Sequence, residues 1–381
     1  MKICFIRYTT HFLEYVNRLT LFFSKKLDPV IYLGQNYDKD TINWGNIKTG
    51  DVLMQPKLVD VAKVAGVSLT TVSRVINNRG YLSVATKEKV FQAMQQLNYQ
   101  PSSAARALHG KQFKLIGLIF ASIENPLIAE VVERIEDQLF RVGYKAIICN
   151  SLNNPEKEQQ YLKMLMANQV DGIITGSHNE AIEAYKMSGL PIVSYDRYFA
   201  NLIPTVSCDN IAGARLAANT LIEKGSKNLM LISGSLDQLP HNTDRLTGFL
   251  DAVKKAGLTS ATVRLPFNAT PGIKRANIRQ QLINHHPDGV FCTDDLTALL
   301  CLQEVKGLGM RVPDDIQVIG FDGSTYVREY HPELSTIVQP LDDIVDLVVR
   351  LLFNRLNKTD DPLLDRYVLP VTLLRRDSVR P

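Results

Sequence analysis

The sequence predicts an α/β chain in two unequal parts, a small all-α module followed by a large body of parallel sheets. Three observations predict it. Positive charge is gathered in one short block, with 8 basic and 2 acidic residues across 54–111. The segment after it, 112–381, alternates β-rich runs with amphipathic stretches, and such alternation builds parallel sheets covered by helices on both faces. With 381 residues, 45% apolar and 22% charged, the chain has room for two or three globular domains.

The basic block reads as three helices. The first is predicted over Leu58–Ala65, with Leu58, Val61, Ala62 and Ala65 on one face. Gly66 suits a left-handed turn, Val67 can plug the core, and Ser68 can cap the next helix. The second spans Leu69–Asn77 and buries Val72, Val75 and Ile76 at helical spacing. Its other face carries Leu69, Thr70, Ser73, Arg74 and Asn77, with no acidic residue. Such a face can enter a major groove, where arginine reads guanine or clamps a phosphate and threonine reaches a base edge or a thymine methyl. The third helix follows Ser83 and buries Val90, Ala93, Met94 and Leu97. A plain three-helix bundle with a solvated face fits the spacing equally well; the local excess of positive charge favours a helix-turn-helix. The overall net charge of +4 conceals this excess, because 112–381 holds 28 basic and 32 acidic residues. Pro101 and the alanines after it then allow a short helix over Ser102–Leu108 with almost no face to bury. It reads either as a mobile linker or as a helix that forms on DNA, with Leu108 available as a minor-groove wedge.

In the body, strands are predicted at Leu115–Phe120, Lys145–Cys149, Gly172–Thr175, Pro191–Tyr195, Leu229–Ile232, Gly289–Cys292 and Gln317–Phe321. Helical stretches lie near 127–142, 156–168, 211–224, 245–256, 273–284, 296–308 and 341–356. Two open lobes with a cleft between them fit this length better than one barrel. Ligands of open α/β sheets sit beyond the carboxyl ends of the strands. Asp196, the pair Asp294 and Asp295, and Asp322 all follow predicted strands, and Arg245 opens a helix. Carboxylates around an arginine suit a neutral polyol, whose hydroxyls donate to the acids while the guanidinium donates to its oxygens. Each aspartate has a simpler reading as the cap of the helix that follows. Tyr198, Phe199 and Phe321 are candidates to stack on a sugar, with core packing the stronger reading for Phe321.

Other function classes find little support. There is no G-x-G-x-x-G entering a helix after a strand, no P-loop motif and no G-x-S-x-G elbow around Ser235. Nothing in the sequence pairs Cys292 with His241, so Cys292 reads as a buried structural thiol, and His285-His286 reads as surface. The five cysteines show no C-x-x-C spacing, which predicts neither disulfides nor a metal site and suits a reducing cytoplasm. No apolar run reaches membrane-spanning length, and His11, Glu14 and Arg18 interrupt any signal-peptide core. No catalytic residue, cofactor, metal or membrane association is expected.

The run LVDVAKVAGVSLTTVSRVINNRGYLSVATKEKVFQAMQQLNYQPSSAARALHGK resembles the amino-terminal part of the lactose-repressor (LacI/GalR-type) family of bacterial transcription regulators. The resemblance continues through KLIGLIF, NNPEKEQQYLKMLMANQVDGIIT, LPIVSYDR, DRLTGF, FCTDDLTAL, RVPDDIQVIGFDGS and LSTIVQP. Within the family, ICNS, NNPEKE, ITGSHN and VSYDRY look most like the sucrose operon repressors of low-GC bacteria. The resemblance implies a helix-turn-helix DNA-binding domain over 54–101, a hinge over 102–111, and a periplasmic-binding-protein-like effector and dimerisation domain over 112–381. That last domain would have two lobes joined by three crossovers. The implied DNA-contacting positions are Leu69, Thr70 and Arg74, with Thr71, Ser73 and Asn77 beside them and Ser102, Ala105 and Leu108 in the hinge. The implied effector-contacting positions are Asp196, Arg245, Asp294, Asp322 and Gln339. Asn is common in the family where Asp294 stands, and the position of Asp295 is more often tied to helix capping. The implied partners are double-stranded operator DNA, a sugar effector and a second copy of the chain.

Three functions are therefore weighed. A repressor released by sucrose or a fructosyl or phosphorylated relative would bind operator more weakly with sugar. A catabolite-control regulator would bind more tightly with a phosphorylated carrier protein. A transport receptor or enzyme would keep its activity after deletion of 54–111. Residues 1–53 match nothing in the family. Thr49-Gly50-Asp51 can be encoded with AGGAG just before Met54, so this stretch is expected to be an upstream segment included by the choice of start codon. The alternative is a genuine, mostly disordered arm. Trp44 is the only tryptophan, so native tryptophan fluorescence would refute the first reading.

Overall fold

The computed structural model describes residues 56–77, 79–99, 112–167, 170–177, 185, 188–199, 203–234, 240–265, 269–359 and 364–381. The stretch 1–53 and the hinge positions Ser102, Ala105 and Leu108 lie outside the described residues.

The helical module contains α1 (Leu58–Ala65), α2 (Leu69–Ile76) and α3 (Val84–Gln96). Helix α1 ends at Gly66, which takes φ 64°, a left-handed conformation glycine adopts at low cost. Ser68 then caps α2, accepting from the Thr71 amide at 3.1 Å. Ser83 caps α3 in the same way through the Thr86 amide at 3.3 Å. Val61, Ala62, Ala65, Val72, Val75, Val90 and Ala93 are buried. Leu58, Ile76, Met94 and Leu97, also expected on the buried faces, are only half-buried, because so small a domain has little interior.

The body holds two six-stranded sheets, and each is built from strands separated in sequence. In order across the first sheet, the strands are β2 (Lys145–Asn150), β1 (Leu115–Phe120), β3 (Gly172–Gly176), β4 (Ile192–Tyr195), β5 (Thr205–Cys208) and β11 (Arg366–Leu369). Across the second sheet they are β7 (Ser260–Arg264), β6 (Leu229–Ser233), β8 (Gly289–Cys292), β9 (Gln317–Asp322), β10 (Ser335–Val338) and β12 (Thr372–Leu374). All pairings are parallel except β10 with β12. The chain crosses between lobes three times, after β5, after β10 and between β11 and β12.

Helices α4 (Pro126–Arg141), α5 (Pro155–Ala167) and α11 (Leu341–Leu356) cover the first sheet. Helices α6 (Asn210–Glu223), α7 (Pro240–Lys255), α8 (Pro271–His285) and α9 (Asp295–Gly307) cover the second, and the short α10 (Thr325–Tyr330) follows β9. One apolar core runs through both lobes, from Ile116 and Leu118 of β1 to Phe291, Phe321 and Ile337 of the second sheet. Separate clusters fill the outer face of each sheet.

Five strands escaped the sequence reading: β5, β7, β10, β11 and β12. Each is three to five residues long and carries polar residues such as Thr, Ser and Arg. Their pairing partners hold them extended, which a local apolar pattern does not encode.

Helices α6 and α7 approach at Gly248, where an added Cβ would overlap the Ile211 carbonyl oxygen. The obstacle is backbone and cannot rotate away. Gly248→Ala is expected to lower stability by about 1–3 kcal/mol, outweighing a gain of roughly 1 kcal/mol in helix propensity. The midpoint of urea unfolding measures this; an unchanged or raised midpoint contradicts it.

Candidate functional site

Between the lobes, at the carboxyl ends of the strands, lies a cavity of about 260 Å³. Its walls include Ala121, Ser122 and Asn125 after β1, Asn153 after β2 and Tyr195-Asp196 at the end of β4. The second lobe contributes Gly234, Asn242, Arg245, Lys274, Thr293, Asp294 and Asp322, and Gln339 comes from the second crossing. The size lies near the lower limit for small-molecule sites, roughly 300 Å³. A larger hollow of about 550 Å³ on the second lobe is lined by Leu302, Met310, Val312 and His331, near the amino ends of β9 and β10 and away from the carboxyl strand ends.

All five sequence-predicted effector positions line the cleft cavity: Asp196, Arg245, Asp294, Asp322 and Gln339. Arg245 is the hub. Its Nε donates to Asn210 Oδ1 at 2.7 Å, and Nη1 donates to the Thr293 carbonyl. Nη1 also lies 3.6 Å from Asp322 Oδ1, and the guanidinium sits 3.6 Å above the Phe321 ring centre. Gln339 Nε2 donates to Asp322 Oδ1 at 2.9 Å. The Tyr195 hydroxyl donates to Gln339 Oε1 at 3.4 Å, which ties the first lobe to the second across the cleft floor. Asn210, at the first crossing, also donates to Asp196 Oδ1 at 3.5 Å.

The aspartates divide by role. Asp294 lines the cavity and also caps α9, accepting from the Thr297 amide at 2.8 Å. Asp295 is no cap. It is buried and accepts from the Gly323 amide at 2.7 Å and the Thr336 hydroxyl at 2.6 Å, linking the turn after β9 to β10. Asp196 and Asp322 hold left-handed backbone, with φ 58° and 123°. Such strain in a non-glycine residue is kept only where the surroundings impose it.

Burial pushes the Asp322 carboxyl up to about 7, against the pull of the Arg245 guanidinium, with the Asp294 and Asp196 carboxylates adding to the rise. Burial also holds the Asp295 carboxyl well above the usual carboxylate range, with Asp322 adding to it. A raised acid favours folding only while it keeps its proton. The contribution of Asp322 is therefore present below its ordinary 3.8 and is lost as pH rises through about 7. Thermal midpoints should fall between about pH 5 and pH 7 and flatten above; a midpoint that rises steadily across that window contradicts the assignment.

The aromatic candidates are placed elsewhere. None of Tyr198, Phe199 and Phe321 lines the cavity. Phe199 packs on Tyr185 and Arg197, and Phe321 is fully buried beneath Arg245. Asn125, Asn153, Asn210, Asn242 and Lys274 were missed by the sequence reading. Applying the strand-end rule to β1 and β2 would have reached Asn125 and Asn153. Asn242 and Lys274 come from helices and carried no such signal.

On the helical module, Leu69, Thr70 and Arg74 are exposed on one side of α2. Thr71, Ser73 and Asn77 are engaged locally. Thr71 Oγ1 pairs with Ser68 Oγ at 2.8 Å, and Asn77 Nδ2 donates to the Ser73 carbonyl at 2.9 Å.

Residues 57–102 match the family profile described as "Bacterial regulatory proteins, lacI family", and residues 218–379 match a periplasmic binding protein-like domain. The sucrose operon repressor of Pediococcus pentosaceus is 49% identical over 322 residues, spanning 84% of this chain and 99% of the relative. The chain belongs to the lacI family. A second member of that family, the sucrose operon repressor of Streptococcus mutans, is 45% identical over 331 residues, covering 86% of this chain and all of the relative. Among solved lacI-type structures, the lac repressor dimer bound to operator and an anti-inducer aligns with a TM-score of 0.75 at 26% identity, covering 85% and 98% of the two chains. A transcriptional regulator CelR–cellobiose complex aligns at 0.62 and 28% identity, covering 85% and 99%. Among the described residues, no helix is long and apolar enough to cross a membrane.

Proposed function

We propose that this chain is a cytoplasmic, homodimeric repressor that holds operator DNA until a sugar enters the cleft, and that the sugar is sucrose or a fructosyl relative. The observation that carries this reading is the Arg245–Asp322–Gln339 cluster with Asp196 and Asp294, set between two lobes of a chain that also bears a helix-turn-helix. Carboxylates and amides facing one another across a hinged cleft accept and donate to the hydroxyls of a neutral sugar. Support for sucrose comes from the two sucrose operon repressors to which the chain is 45–49% identical. Support for a dimer comes from the lac repressor assembly and from the small DNA surface one helix-turn-helix covers.

Operator release follows by linkage. Sugar binds better to one arrangement of the lobes, and DNA to the other, so each weakens the other by the same factor. The hinge helix over Ser102–Leu108 is proposed as the element that forms on DNA and is lost with sugar. No bond is made or broken. The four described cysteines are free and buried, and burial pushes the Cys149 thiol up to about 11, unsuited to a nucleophile.

The test is operator binding followed by fluorescence anisotropy against a panel of sugars and sugar phosphates. Sucrose or a fructosyl sugar should weaken binding. Tighter binding with a phosphorylated carrier protein, and indifference to every sugar, would replace this reading with a co-repressor mechanism. Because the ionised Asp322 is the better acceptor for hydroxyls, sugar affinity should rise about tenfold between pH 6 and pH 8, with proton release on binding. Calorimetry in buffers of different ionisation enthalpy measures that release; affinity flat across this range contradicts it.

A further inference from the structure

A second charged cluster lies beneath the first-lobe wall of the cleft, out of contact with the cavity. Its centre is Glu158, on the first turn of α5 and fully buried. Glu158 Oε1 accepts from the Tyr185 hydroxyl at 2.7 Å and lies 3.5 Å from Arg197 Nη1, while Oε2 accepts from the Ser177 hydroxyl. Arg197 is buried as well. Its Nη1 donates to the Ser177 carbonyl at 3.1 Å, and its guanidinium stacks 4.0 Å from the Phe199 ring centre. Ser177 pairs with Ser151 at 3.2 Å, and Ser151 in turn donates to the Phe120 carbonyl at 3.2 Å.

These bonds join the carboxyl ends of four adjacent strands, β2, β1, β3 and β4, which carry the first-lobe wall. Arg197 directly follows Asp196. Its carbonyl accepts from the Ser194 hydroxyl at 2.6 Å and the Thr205 hydroxyl at 2.8 Å. Residue 197 is thus held at both its side chain and its carbonyl. Between those anchors and β4, Asp196 is held at φ 58° with its carboxylate in the cleft.

We infer that Glu158 and Arg197 are positioning residues for the effector cleft, a buried ion pair that locks the strained Asp196 turn and the Asn153 loop in the shape the sugar meets. The inference rests on the cleft being the effector site. Replacing both members of a buried ion pair by neutral groups of similar size often leaves stability unchanged, whereas removing one is costly. The double variant therefore separates positioning from mere charge compensation.

The experiment compares the full chain with Glu158→Gln/Arg197→Met. The readouts are thermal midpoint, amide exchange of Ser194 and Asp196 without ligand, and calorimetric titration with sucrose. Both amides are hydrogen-bonded, to the Pro204 and Val206 carbonyls at 2.9 and 2.8 Å, and should exchange slowly in the wild type. The double variant should keep its thermal midpoint, exchange these amides at least tenfold faster and bind sucrose at least tenfold more weakly. Wild-type exchange rates, or faster exchange with undiminished sucrose affinity, overturn the inference. If wild-type protein ignores sucrose, the sugar assignment fails and the exchange rates still decide the positioning role. Should the double variant unfold, Tyr185→Phe removes one donor to Glu158 without touching a charge, and is expected to change both rates and affinity about threefold; no change overturns the inference.

Discussion

Asp322→Asn should hold operator DNA as the wild type does and no longer release it at sugar concentrations that empty the wild-type operator. The substitution keeps the shape of the side chain and an oxygen to accept from Gln339. It removes the charge that faces Arg245 Nη1 at 3.6 Å and that accepts hydroxyl hydrogens. Hydrogen bonds to a charged group contribute about 1.5–3 kcal/mol each, so sugar affinity should fall roughly 10- to 150-fold. DNA affinity without sugar should stay within a factor of about three, since the helical module carries the DNA face. The same variant should lose much of the stability decline between pH 5 and pH 7, because that decline follows the proton of Asp322. Anisotropy with operator and increasing sucrose measures the first effect, and thermal melts across pH measure the second. Release at wild-type sugar concentrations would remove Asp322 from the site.

Arg74→Ala should cost about 1–3 kcal/mol of operator affinity for each half-site, and about twice that for a dimer. The side chain is exposed on α2 beside Thr70 and Leu69, whereas Thr71, Ser73 and Asn77 are tied into the helix. Salt dependence separates two modes of contact. Loss of a guanine contact relaxes sequence preference and leaves the salt slope unchanged; loss of a phosphate contact weakens all sequences and lowers the slope by about one per arginine. Asn77→Ala is the control, expected to affect helix stability more than affinity. Wild-type operator affinity for Arg74→Ala would exclude the arginine from the interface.

The legible parts share one property: their determinants lie within a few residues of each other. Gly66 and Ser68 announce the turn because positive φ and an N-cap are local requirements, and both appear in the structure. The runs LIGLIF and QVIGF announce buried parallel strands by continuous apolar character, and β1 and β9 follow. The strand-end rule placed Asp196 and Asp322 in the cleft, because the carboxyl end of a strand can be read along the chain. Asp295 misled because a carboxylate at the start of a helix resembles a cap; its amide and hydroxyl partners, Gly323 and Thr336, are 28 and 41 residues away.

By itself, the sequence determined the order of parts: a basic helical reader, a polar-lined α/β body and the carboxylates at the ends of its strands. Periodicity, capping and charge act over one or two turns, and those a sequence displays directly. Only the tertiary structure decided which distant groups meet. It brought Asn210 and Gln339 from two separate crossings to Arg245 and Asp322, tied Tyr195 of the first lobe to Gln339 at the second crossing, and buried Glu158 against Arg197. The physical reason is the topology. The chain passes between the two sheets three times, and the first sheet takes strands from both ends of the body, so the cleft is closed by contacts between residues far apart in sequence, and their energies depend on burial that no local pattern encodes.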